Sequence, residues 1–92
     1  MKKIILVDDH HIVRQGLEFL LSTVEDIEVV QGFAEGKLFL EYLENNEQPD
    51  IVLLDLVMPD MNGIEITEYL KNNYPNIKIL VLTSYVDDEH VI

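Results

Sequence analysis

Short apolar runs, each followed at once by polar residues, recur along the chain. They cover residues 4–7, 51–54 and 77–82, and a weaker run covers residues 27–30. Runs of this length that are apolar at successive positions are typical of strands buried on both faces of a parallel sheet. The pattern therefore predicts four short strands.

Between the runs, apolar residues recur at steps of three and four, which predicts amphipathic helices. The residues that set this spacing are Val13, Leu17, Leu20, Leu21 and Val24 in the first helix, Leu38, Phe39 and Leu43 in the second, and Ile66, Tyr69 and Leu70 in the third. Residues 32–36 are predicted to form a loop before the second helix. Gly16, inside the first helix, costs up to about 1 kcal/mol relative to alanine, so we interpret it as a close approach to the sheet, with simple tolerance as the alternative.

This β-α-β-α-β-α-β order predicts an α/β fold with a doubly wound parallel sheet. Placing the first strand between the second and third gives the strand order 2-1-3-4 and puts a topological switch point beside strand one. Residues 87–92 are predicted to begin a fourth helix. The whole chain, residues 1–92, is predicted to form one domain.

Acidic and hydroxyl side chains follow three of the predicted strands. Asp8 and Asp9 follow the first, Asp55 follows the third, and Thr83 and Ser84 follow the fourth. The carboxyl ends of parallel strands meet at one edge, so these groups should converge. Carboxylates about 4 Å apart repel by roughly 4 kcal/mol per pair at an effective dielectric near 20, so a cation or a proton must relieve them. The sequence therefore predicts a divalent metal site.

Simpler roles for these polar residues stay open. Asp8 and Asp9 could instead cap the first helix. Asn62 is interpreted as a cap of the third helix. His10 and His11 are interpreted as loop histidines at a helix start, since adjacent side chains seldom point at one metal.

Composition and charge exclude several functions. Six basic residues against eighteen acidic give a net charge of -12, so this segment is not expected to bind nucleic acid directly. The chain has no cysteine, and its first apolar run is too short for a signal peptide or a membrane span, so we expect a cytoplasmic protein without membrane contact. The segment 55–57 lacks the second acid of an Asp-x-Asp phosphohydrolase, and no Walker loop is present.

Taken together, the Asp8-Asp9 pair, the segment 54–63 (Leu-Asp-Leu-Val-Met-Pro-Asp-Met-Asn-Gly) and the pair Thr83-Ser84 resemble the receiver domain of two-component response regulators. Residues 7–14 and 82–84 resemble the NarL and LuxR-type branch of this family, including envelope-stress regulators of Gram-positive bacteria. The resemblance implies a flavodoxin-like receiver fold.

The resemblance also implies roles for individual residues. Asp55 is implied to accept a phosphoryl group, and Asp8, Asp9, Asp55 and the Val57 carbonyl to hold Mg²⁺. Thr83 is implied to contact the phosphoryl group and to act as a switch. The implied partners are a sensor histidine kinase and a DNA-binding output domain. Such a module is not a classical enzyme, although it promotes its own phosphorylation and dephosphorylation.

Receivers of this family continue through a fifth strand, whose end supplies a lysine, and a fifth helix. No lysine follows Lys78 in this chain. We therefore expect a receiver truncated at its carboxyl end, with the edge of its fourth strand open to pairing or swapping with a second copy. The alternative function is a pseudo-receiver that binds other proteins without being phosphorylated.

Overall fold

The computed structural model describes residues 1–56, 58 and 62–82, which form four strands and three helices in alternation. In chain order they are β1 Lys2–Val7, α1 His11–Ser22, β2 Ile27–Phe33, α2 Gly36–Asn45, β3 Ile51–Asp55, α3 Gly63–Asn73 and β4 Lys78–Leu82. All three strand pairs are parallel, and the sheet order is β2-β1-β3-β4. The predicted fold class and strand order are confirmed.

Strand β2 is longer than predicted and α2 begins at Gly36, so the interpretation of residues 32–36 as a loop is wrong at Gly32, Phe33 and Gly36. Gly32 pairs with Leu6 and Phe33 pairs with Val7. The Asp8 N–H then donates to the Phe33 carbonyl over 2.9 Å. Backbone pairing with β1 thus extends β2 past the end of its apolar run. Gly32 can take part because it has the same backbone N–H and C=O groups as any other strand residue.

Side chains of the sheet alternate between two faces. We call them the α2–α3 face and the α1 face, after the helices that cover them. The buried residues of the α2–α3 face are Ile5, Val7, Phe39, Leu43, Val52, Leu54, Met58, Ile66, Leu70 and Ile77. Those of the α1 face are Ile4, Leu6 and Leu53, against which Leu17 and Leu21 of α1 pack while partly exposed. The larger core therefore lies under α2 and α3.

Gly16 does not approach the sheet, and that interpretation is wrong. A Cβ built on Gly16 would meet no atom within 4 Å, so simple tolerance on an exposed part of α1 is the correct reading. Close approaches occur instead at Gly32 and Gly63. A Cβ on Gly63 would lie 2.5 Å from the Leu56 Cα and 2.8 Å from the Asp55 carbonyl oxygen. Glycine at position 63 therefore lets α3 begin directly against the end of β3.

Among the residues that the structure describes, no helix has both the length and the apolar character that a membrane crossing requires.

Candidate metal centre

Three carboxylates converge at the carboxyl edge of the sheet. Asp8 and Asp9 follow β1, and Asp55 is the last residue of the neighbouring strand β3. The pairing of Val7 with Leu54 brings the two strand ends level. One side-chain atom each from Asp8, Asp9, His10 and Asp55 can be chosen so that all four lie within 4.8 Å of one another.

Two of these carboxylates are almost completely buried. Asp8 and Asp55 are each 1% exposed, and the Asp9 side chain is 29% exposed. The Asp8 Oδ2 and Asp9 Oδ1 atoms have no hydrogen-bond partner among the described residues. A buried carboxylate oxygen without a partner is costly unless a cation or a donor satisfies it. The donor set fits a hard divalent cation such as Mg²⁺, which prefers carboxylate oxygens and water.

The His10 imidazole faces these acids, and it carries a positive charge toward them when it is protonated. Its Nδ1 atom lies 2.9 Å from Asp8 Oδ1, 3.2 Å from Asp9 Oδ1 and 3.4 Å from Asp55 Oδ2. The first contact is a hydrogen bond, whereas the second has the distance of an ion pair without hydrogen-bond geometry. The hydrogen bond to Asp8 raises the pKa of His10 above its usual value, the negative charge of Asp9 adds to the increase, and partial desolvation opposes it.

The loop that carries Asp8 to His10 is held by two further hydrogen bonds. The His10 N–H donates to Asp8 Oδ1 over 2.8 Å, and Arg14 Nη1 donates to the Asp8 carbonyl oxygen over 2.6 Å. Asp8 therefore also braces the backbone just before α1, which is close to the capping role left open above. His10 itself, at the N-cap position, makes no side-chain cap bond.

On the other side of the site, α3 is anchored to the end of β3. The Gly63 N–H donates to the Leu56 carbonyl oxygen over 3.0 Å. Asn62 Oδ1 accepts a hydrogen bond from the Ile64 N–H over 2.7 Å, so the predicted cap is confirmed. These contacts hold the start of α3 against the end of β3.

Some predicted site residues lie outside the described residues, namely Val57, Thr83 and Ser84. The structure therefore brings together Asp8, Asp9 and Asp55, and their role as metal ligands stays a prediction.

The contributions of His10 and Arg14 to this edge were missed by the sequence reasoning. The available signal was His10's place directly after the acid pair. Its direction, however, depends on the loop backbone, with φ -83° and ψ 102°, which residue types do not reveal. The adjacent His11 faces Arg14 instead, as expected for neighbouring side chains that do not share one centre.

Comparison with known proteins identifies a family. Residues 4–92 match the model of the response regulator receiver domain. The chain is 49% identical over 90 residues to the transcriptional regulatory protein YhcZ of Bacillus subtilis, covering 98% of this chain. It is 46% identical over 91 residues to the response regulator protein VraR of Staphylococcus saprophyticus, covering 97% of this chain. The chain spans 42% of the length of each of these relatives.

Solved structures of RcsB from Salmonella enterica serovar Typhimurium have the same fold. RcsB bound to a promoter in the presence of the phosphomimetic BeF₃⁻ aligns with a TM-score of 0.86 and 28% identity, over 99% of this chain and 76% of that chain. The isolated receiver domain of RcsB, also with BeF₃⁻, aligns with a TM-score of 0.84 and 28% identity, over 98% and 67%.

Proposed function

Because this chain belongs to the response regulator receiver domain family, we propose that it accepts a phosphoryl group on Asp55 from a sensor histidine kinase in a Mg²⁺-dependent reaction. A receiver is a signalling domain and not a classical enzyme. In this proposal residues 1–92 belong to one receiver domain.

The observation that supports the proposal most directly is the convergence of Asp8, Asp9 and Asp55 at the end of two adjacent strands. Asp8 and Asp55 are buried, and one oxygen each of Asp8 and Asp9, namely Asp8 Oδ2 and Asp9 Oδ1, lacks a hydrogen-bond partner among the described residues. A fold retains such an arrangement against charge repulsion when a cation is its normal occupant. A hard cation beside a carboxylate nucleophile is the arrangement that phosphoryl transfer requires.

In the proposed reaction, an Asp55 carboxylate oxygen attacks the phosphorus of a phosphohistidine on the kinase. The P–O bond to Asp55 forms as the P–N bond breaks, and the leaving imidazole nitrogen keeps the electron pair and takes up a proton. Bound Mg²⁺ would neutralise negative charge on the phosphoryl oxygens. Asp8, Asp9 and Asp55 would hold that ion, and the burial of Asp55 keeps its oxygen fixed for attack.

Two residues outside the described part of the chain complete the proposal. The Val57 carbonyl would add a ligand to the metal, and the Thr83 hydroxyl would hydrogen-bond a phosphoryl oxygen. Movement of Thr83 on phosphorylation would then shift a pre-existing conformational equilibrium.

The proposed partners follow from the family and from the charge. VraR and YhcZ are longer regulatory proteins, so we propose that a DNA-binding output domain accompanies this receiver in its regulator. The receiver itself, with a net charge of -12, would not bind nucleic acid. Fluorescence anisotropy with labelled duplex DNA tests this: binding by the 92-residue chain at physiological salt would contradict it.

We also propose that the outer edge of β4 can pair with a strand of a second copy. Within the part of the chain that the structure describes, β4 pairs with β3 alone. An apolar strand with an unpaired edge is a template for association. Light scattering over a range of protein concentrations tests this, and a strict monomer at the highest concentration would contradict it.

The phosphorylation itself is tested by incubating the chain with Mg²⁺ and a small acyl phosphate and measuring the intact mass. We expect a single phosphoryl addition that is lost in Asp55→Ala and in the presence of a chelator. Asp26→Ala, which removes an exposed carboxylate elsewhere, is the matched control and should keep the addition. Persistence of the addition in Asp55→Ala would refute the assignment of the acceptor. Metal binding without any phosphorylation would favour the pseudo-receiver alternative.

A further inference from the structure

His10 lies among the three carboxylates as closely as a ligand would. Its Nδ1 atom is 2.9, 3.2 and 3.4 Å from oxygens of Asp8, Asp9 and Asp55. Two ligand atoms that occupy adjacent octahedral positions, each about 2.1 Å from a metal, are about 3 Å apart. The three distances therefore place Nδ1 at the spacing of a ligand adjacent to each of these oxygens, and all four atoms lie within 4.8 Å of one another.

The backbone holds His10 in this place independently of its ring. The His10 N–H is bonded to Asp8 Oδ1, and Arg14 is bonded to the Asp8 carbonyl oxygen. The stem of Arg14 in turn lies beside Gly32, where a Cβ would come within 3.1 Å of Arg14 Cδ. The imidazole is thus presented to the site by a braced loop, even though half of its surface is exposed.

Mg²⁺ and the later first-row transition cations respond differently to such a ligand. Mg²⁺ prefers oxygen donors, whereas imidazole nitrogen suits Zn²⁺, Ni²⁺ and Fe²⁺. This inference rests on the proposed function, in which the three carboxylates hold a divalent cation. They would bind either kind of cation. The nitrogen adds a donor that favours the transition cations over Mg²⁺.

We propose that His10 is a fourth ligand of this centre and gives it an affinity for transition cations that accept imidazole, beyond its affinity for Mg²⁺. Asp8, Asp9 and Asp55 supply the charge, and His10 supplies the selectivity. The centre would then respond to the availability of cations such as Zn²⁺ or Ni²⁺, which would compete with Mg²⁺ for the same carboxylates.

The test is isothermal titration calorimetry of the untagged 92-residue chain with Ni²⁺ and, separately, with Mg²⁺. In His10→Ala we expect the affinity for Ni²⁺ to fall by at least about tenfold, the loss typical even of outer-shell partners of a metal, while the affinity for Mg²⁺ stays the same or rises. His10→Gln, which keeps a polar side chain of similar length, should lose Ni²⁺ affinity in the same way. Circular dichroism checks that each variant is folded.

Two further variants separate this inference from general effects of histidine or charge. His11→Ala is the matched control, because His11 is adjacent in sequence but its ring contacts Arg14. It should bind both cations as the unchanged chain does. Asp9→Asn removes an oxygen ligand and should weaken both cations.

Unchanged Ni²⁺ affinity in His10→Ala and His10→Gln would overturn the inference and leave His10 as a counter-charge only. Equal losses for Ni²⁺ and Mg²⁺ would also overturn it, because a selective ligand must discriminate between them. Either of these two outcomes leaves the proposed function standing, provided that the unchanged chain binds Mg²⁺ and is phosphorylated on Asp55. If it binds neither cation, both fail.

Discussion

The two faces of the sheet are covered by helices of similar sequence pattern but are buried to very different extents. On the α2–α3 face the helices contribute buried side chains, such as Phe39 of α2 and Leu70 of α3. On the α1 face, α1 contributes none that is buried within the described residues, and its Phe19 is 70% exposed. Apolar spacing alone therefore predicts that a helix has an apolar side, and not how completely that side is covered.

Helices α1 and α3 also differ in how their ends are stabilised. Helix α3 has a side-chain cap from Asn62, an acidic residue, Glu65, in its first turn and a basic residue, Lys71, in its last turn. Helix α1 has no side-chain cap and neither kind of charge. Because caps and complementary end charges stabilise a helix locally, α3 is reinforced both by packing and by its termini. We expect the α2–α3 face to dominate the stability of the chain.

The largest difference should appear between two phenylalanines. Phe39→Ala removes a fully buried ring that contacts Phe33 at a centroid distance of 5.9 Å, and it should lower the free energy of unfolding by about 3–5 kcal/mol. Phe19→Ala on α1 should change it by no more than about 0.5 kcal/mol, because the ring is mostly exposed. Urea denaturation measures both. Similar losses of unfolding free energy in the two variants would contradict the unequal burial of the two faces.

Two glycines give changes of opposite sign. Gly63→Ala places a methyl group against the backbone of Leu56 and should destabilise the fold by about 1–3 kcal/mol, as overpacking does. Gly16→Ala meets no atom within 4 Å in the middle of α1 and should stabilise it by about 0.5–1 kcal/mol. Thermal and urea unfolding of both variants measure the signs. A stabilising Gly63→Ala would show that α3 is not held tightly against β3.

A smaller effect is expected at the start of α3. Asn62→Ala removes the hydrogen bond to the Ile64 N–H and should cost about 1 kcal/mol. The control is Asn72→Ala, since Asn72 lies exposed within α3 and is not at its cap. That variant should be neutral or slightly stabilising, because alanine is the better helix former. Equal effects of the two substitutions would show that the Asn62 cap does not stabilise α3.

The smallest effect is expected at the carboxyl edge of the sheet, where His10 faces the acids. His10, at the start of α1, has a pKa raised by its hydrogen bond to Asp8 and by the charge of Asp9. A raised pKa means that this interaction stabilises the fold fully below the ordinary histidine pKa of about 6.5, and that the contribution is lost as pH rises through the pKa of the folded state. An NMR titration with a chelator present should show a raised pKa for His10.

The matched variant for this titration is Asp8→Asn, which removes the charge of the hydrogen-bonded partner. The pKa of His10 should fall in that variant. An unchanged value would show that the ring does not hydrogen-bond to Asp8 in solution.

Much of the fold could be predicted because it depends on local patterns. Apolar runs at successive positions predicted β1, β3 and β4, and spacing of three and four predicted the three helices. The order of these elements limited the topology to a doubly wound sheet, since parallel neighbours require crossover connections. The end of β2 could not be predicted this way, because Gly32 and Phe33 belong to the strand only through their pairing with β1.

The sequence by itself determined which residues end the strands, and hence that Asp8, Asp9 and Asp55 would meet at one edge. Only the tertiary structure decided that His10 faces them, that Gly63 and not Gly16 is the tight contact, and that α1 stays largely uncovered within the described residues. The physical reason is the distance along the chain over which each feature is determined. Strand and helix periodicity follow from each residue and its near neighbours, whereas the direction of a loop side chain and the cover over a helix depend on atoms brought close by the rest of the fold.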